Sequence, residues 1–133
     1  MRSKSSLLAA EIDKVMPNLT VHNITHSDAL WETSDIIINK DLIFTPAEVF
    51  VLGAVFLIHD LGMGLASFPK GIDGLKKETL WRDTYSSFLK REEELTNKEI
   101  ERNATYHVLR MLHAKNAEKL ATISWSGPNN EEL

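Results

Sequence analysis

The sequence predicts an all-α protein, a bundle of about five helices, and three observations carry that expectation. Apolar residues recur at three- and four-residue intervals over most of the 133 residues. Two helix-start signals are written out in full, Thr45-Pro46-Ala47-Glu48 and Thr96-Asn97-Lys98-Glu99. No segment alternates apolar and polar residues in the two-residue period of a half-buried strand. At 43% hydrophobic and 26% charged the composition is that of a globular chain. Its length suits a single domain, 1–133, that buries about two thirds of its unfolded surface.

The first helix is read from Ser6, with Leu7, Leu8, Ile12, Val15 and Met16 at helical spacing and Pro17 as the stop. Asn18 to Thr25 has no clear period. A second helix follows, with His26 in its first turn and Leu30, Trp31, Ile36, Ile37 and Ile38 as its apolar series, running to about Lys40. Thr45 then caps a third helix, Pro46 sits where its missing N–H costs nothing, and Glu48 closes the capping box. This helix runs to about Leu61. It is apolar nearly all the way round, which predicts the central position in the bundle.

Gly62 to Gly74 holds four of the six glycines, together with Pro69, and reads as a loop or lid. Leu75 to about Arg91 is the fourth helix, with Leu80, Trp81, Tyr85, Phe88 and Leu89 as a stripe and Lys76, Lys77, Arg82, Lys90 and Arg91 on solvated faces. The second capping box opens the last helix, which extends to about Ser124 and buries Ile100, Val108, Leu109, Leu112, Leu120 and Ile123. The tail from Ser126 to Leu133 is turn-like and acidic.

Composition also excludes functions. A formal net charge of -4 argues against a general nucleic-acid binder. With no cysteine there is no disulfide framework, no thiol nucleophile and no thiolate-held zinc, so a metal site must use His and carboxylates. Those ligands favour Mn, Fe, Mg, Ni or Zn. The N-terminus lacks a signal-peptide apolar region, and the run Val49 to Ile58 is too short to span a bilayer. A soluble, cytoplasmic protein with no membrane association is expected.

His59-Asp60 closes that apolar run. An imidazole and a carboxylate at the end of a buried segment need a partner, and a divalent cation satisfies both. The alternative is that Asp60 terminates the helix while His59 bonds a backbone carbonyl. His22 and His26 are four apart, which places them on one face if their segment is helical. His107 and His113 are six apart, about 600° of turn, so they cannot both face one site.

Three runs, taken together, resemble the HD superfamily of metal-dependent phosphohydrolases in order and separation: Val21-His22-Asn23-Ile24-Thr25-His26-Ser27, Phe56-Leu57-Ile58-His59-Asp60-Leu61-Gly62-Met63, and Leu109-Arg110-Met111-Leu112-His113-Ala114. The first is also similar to the His-Asn-x-x-His motif of cyclic nucleotide phosphodiesterases. The third looks most like the HD branch attached to ATPase domains of the chaperone and gyrase type.

The resemblance implies an HD-type helical bundle in which His26, His59 and Asp60 ligate one divalent metal, with Asp60 placed to bridge to a second. It implies that His22 protonates a leaving alkoxide, that His113 ligates a second metal or contacts phosphate, and that Arg110 clamps phosphate. A packing or surface role is the alternative for His22, Arg110 and His113. The implied activity is hydrolysis of a phosphoester, in a nucleotide or cyclic nucleotide, by a metal-activated water.

Two departures stand against that pattern. HD enzymes complete the metal site with a later Asp, and after His113 the carboxylates are Glu118, Glu131 and Glu132. Met63 stands where many HD enzymes carry Lys. The expectation is therefore the N-terminal part of a larger helical domain, incomplete at its C-terminus, whose neighbour is a C-terminal ATPase domain or a partner chain. The alternative function is a truncated or degenerate HD module for ligand sensing or protein interaction, without turnover.

Overall fold

A computed structural model of the chain describes residues 2–17, 21–38, 42–92, 94–120 and 122. Among them are six α-helices: α1 Arg2–Val15, α2 Ile24–Ile37, α3 Pro46–Ile58, α4 Ile72–Leu75, α5 Thr79–Arg91 and α6 Asn97–Leu120. Short 3-10 turns at Leu61–Met63 and Leu65–Ser67 join α3 to α4. Among the described residues there is no strand, and the all-α expectation holds. The expected helix ends near Lys40 and Ser124, the apolar Ile123 and the tail with Glu131 and Glu132 lie outside the described residues, as do residues 18–20.

Both capping boxes form. The Thr45 hydroxyl accepts the Glu48 N–H while the Glu48 carboxylate accepts the Thr45 N–H, and Thr96 and Glu99 do the same at the start of α6. These hydrogen bonds hold both Glu carboxyls below the usual glutamate range, that of Glu48 chiefly through the Thr45 backbone N–H and that of Glu99 chiefly through the Thr96 side chain.

The core is built around α6. Ile12 and Met16 from α1 and its end, Met63 and Phe68 from the turn region, Leu75, Trp81 from α5, and Ala104, Val108 and Leu109 from α6 form one buried cluster. Small and branched side chains on the buried face of α6 let neighbouring elements approach closely. Trp81 is oriented by its indole N–H, which donates to the Thr105 hydroxyl at 3.1 Å, and Tyr85 stacks on its ring. A smaller cluster of Leu8, Ala9 and Leu61, with Ile58, Ala66 and Leu120 packed on it, joins α1 to the end of α3.

Three sequence expectations are corrected. The central helix is α6, not α3: along α3 only Gly53 is buried, and Phe50 is 69% exposed. All-round apolarity shows that a helix lacks a solvated face, but it does not show which element covers it. A close seat for α3 is on α2, where Trp31 lies against Gly53 and meets Phe56 edge-on; a Cβ at Gly53 would lie 2.5 Å from the Trp31 ring.

The second correction concerns Gly62 to Gly74, which is not an open lid. Gly62, Met63, Gly64, Ser67 and Phe68 are buried, and a Cβ at Gly62 or Gly74 would meet backbone, whereas Gly71 takes a positive φ of 56° in open space. Third, the helix expected from Leu75 begins at Thr79 as α5, while Leu75 ends the short α4 that starts inside the expected loop, with Lys76 to Glu78 between the two.

By length and composition the window Pro46–Met63 is apolar enough to cross a bilayer. The helix itself has 13 residues, about 20 Å of rise against a hydrocarbon core of roughly 30 Å. Its chain then bends into the buried turn at Leu61–Met63.

Candidate metal centre

Two helix ends supply the centre. Asn23 caps α2 by accepting the Thr25 N–H on its side chain, which puts His22 just outside the helix and His26 in its first turn. His22 and His26 are therefore not one helical face, although their rings still meet, with centroids 5.5 Å apart. On α3, His59 is the C-terminal cap residue, and its N–H reaches the Val55 carbonyl. Asp60 follows in the bend before the Leu61–Met63 turn and makes no capping hydrogen bond with its side chain. Its carboxylate is therefore left to the histidines.

The Asp60 Oδ2 atom is the focus. It lies 2.9 Å from His59 Nε2, 3.3 Å from His26 Nε2 and 3.8 Å from His22 Nε2. The Asp60 side chain is only 15% exposed, so it depends on these neighbours for partners. His26, His59 and Asp60 each offer one ligand atom, all within 4.8 Å of one another.

The residues fit a divalent cation. Two donors each about 2.1 Å from one ion, at tetrahedral or octahedral angles, are roughly 3.0–3.4 Å from each other. The Asp60–His59 and Asp60–His26 separations are close to that range. The His59 Nδ1–H donates to the Phe56 carbonyl at 3.2 Å, which turns Nε2 toward Asp60 as the nitrogen that would ligate a metal. The two readings of His59 are thus compatible: one ring nitrogen bonds a backbone carbonyl and the other faces the centre.

The third motif is not gathered into this group. The His113 Nδ1–H donates to the Arg110 carbonyl at 2.6 Å, and Arg110 reaches the Tyr106 hydroxyl at 3.3 Å while lying over its ring. His107 is exposed and packs edge-on against Phe88. What α6 brings to the centre is backbone. A Cβ on Gly62 would lie 1.9 Å from the His113 carbonyl oxygen and 2.6 Å from the Ala117 nitrogen, so the turn after Asp60 is seated directly on α6.

Sequence reasoning missed Asn116. It is fully buried in α6, and its Nδ2 donates to the Gly62 carbonyl. The signal was present, a polar residue on the same stripe as Leu109 and Leu112, where burial requires a partner.

A protein-family model described as HD-CE matches residues 16–133. No curated protein and no solved structure matches the chain.

Proposed function

The chain belongs to the HD-CE family, and on that premise we propose that it is a metal-dependent phosphohydrolase acting on a phosphoester of a nucleotide or cyclic nucleotide. The observation that supports this reading is the Asp60 carboxylate with three imidazole nitrogens within 3.8 Å of it. His26, His59 and Asp60 would hold the ion. A divalent cation bound there supplies Lewis acidity toward a phosphoryl oxygen and makes water a competent nucleophile near neutral pH.

His22 stands at the edge of the group, the farthest of the three histidines from Asp60 Oδ2. Protonated, it would give its proton to a leaving alkoxide. Support for Arg110 and His113 as phosphate or second-cation contacts comes from their motif alone. The contact of His113 with the Arg110 carbonyl uses Nδ1 and that of Arg110 with Tyr106 uses Nη1, so His113 Nε2 and the remaining guanidinium nitrogens are the atoms that would meet a phosphate.

His59→Ala and Asp60→Ala should each abolish bound metal and hydrolysis, read by elemental analysis and a nucleotide screen; retention of both would overturn the reading. His22→Gln should keep the metal and lose roughly 10²–10⁴-fold in turnover. That loss should shrink on a p-nitrophenyl ester, whose leaving group needs little protonation.

The exposed apolar side of α2 and α3 favours a second reading, an HD-type module that binds a partner without turnover. Metal content with no hydrolysis of any nucleotide would support it.

A further inference from the structure

Resting on the metal-centre reading above, we propose that Asn116 is a positioning residue for that centre, acting through the Gly62 carbonyl on the turn that carries Asp60. Three successive carbonyls follow His59, those of Asp60, Leu61 and Gly62. Asp60 O accepts the Met63 N–H at 2.9 Å and Leu61 O accepts the Gly64 N–H at 3.1 Å, both inside the turn. The third, Gly62 O, accepts Asn116 Nδ2 at 3.4 Å, a hydrogen bond from 54 residues away in sequence.

Gly62 is thereby held from both directions. The backbone of α6 at His113 and Ala117 stops it from moving closer, and the Asn116 amide ties it against moving away. Asp60 lies two residues before this fixed point. Its Oδ2 must serve His26 and His59 together, and a centre of this kind tolerates displacement of only about 0.5 Å.

Packing alone does not call for an asparagine here. Asn116 is 1% exposed, beside Ala117 and on the helix face that buries Val108 and Leu109. A leucine would serve that face equally, yet would leave the buried Gly62 carbonyl without a donor. The amide is what the turn needs, and the turn presents the carboxylate.

The test uses the full chain with Mn2+ as probe. Asn116→Leu and the isosteric Asn116→Asp, which turns an oxygen toward the Gly62 oxygen, should each weaken Mn2+ binding by about 10- to 100-fold. Val108→Ala, buried in the same helix without a bond to the turn, should lower the melting temperature and leave the affinity in place. Unchanged affinity in both Asn116 variants, or a loss no greater than that in Val108→Ala, would overturn the proposal.

A wild-type chain that takes up no Mn2+ refutes the metal centre, and the positioning claim is then read from the metal-free chain by NMR. Shifts of the His59 and Asp60 resonances in Asn116→Asp but not in Val108→Ala support it. Unmoved resonances overturn it.

Discussion

Around α6, Ile12, Leu75, Val108 and Leu109 are wholly withdrawn from solvent, whereas along α2 no residue is buried and Ile36 is 85% exposed. The α2–α3 side is the more apolar in sequence yet buries less of that apolar surface. The α6 side uses shape: alanines and branched residues admit α1, α5 and the Gly62 turn. The α2–α3 side uses ends: an Asn23 cap, a Thr45 capping box and a seat of Trp31 on Gly53 accompany two helices whose ends bring His22, His26, His59 and Asp60 together. The comparison teaches that the α6 side seats the turn at Gly62, while the α2–α3 side supplies the His and Asp side chains of the candidate centre.

The largest expected effect is at the junction of the two. Gly62→Ala forces a methyl group into the backbone of α6 and should cost about 3 kcal/mol or more, measured by denaturant unfolding; a near-neutral result would break the claim that the turn is seated on α6. Next, Leu109→Ala should cost about 2–5 kcal/mol, while Phe50→Ala on the open side stays within about 0.5 kcal/mol. Equal costs would erase the distinction between the regions. Hydrogen exchange should rank them the same way, with α6 amides near Val108 exchanging more slowly than those of α2.

Thr45→Ala removes a cap and should cost about 1 kcal/mol. The smallest effect is in pH. Because the Glu48 and Glu99 carboxyls are held below their ordinary value of 4.5, their contribution is complete above that value and lost as pH falls through the lowered one. The destabilisation caused by Thr45→Ala should therefore shrink in acid, and a constant difference across that range would rule out the reciprocal bonding.

Much of the fold was legible because its determinants are local. Thr45-Pro46-Ala47-Glu48 and Thr96-Asn97-Lys98-Glu99 carry their own hydrogen-bond partners, so both helix starts could be placed from four residues each. The pairing of His26 with His59-Asp60 was also legible, through ordered motifs. What could not be read was contact between distant segments. The apolarity of α3 predicted burial that the described residues do not provide, and the glycine at 62 read as part of a loop when it serves close packing on α6. The spacing of His22 and His26 suggested one helical face, but the Asn23 cap falls between them and their rings meet across a helix boundary.

The seat of Gly62 has a consequence for how this chain tolerates change. A clash between side chains can be relieved by shrinking the opposing one. Here the opposing atoms are the His113 carbonyl and the Ala117 amide nitrogen, which every amino acid possesses. No second substitution on α6 removes them, so position 62 stands outside ordinary compensatory variation: a replacement there can be accommodated only by shifting α6 itself, and the tie from Asn116 with it.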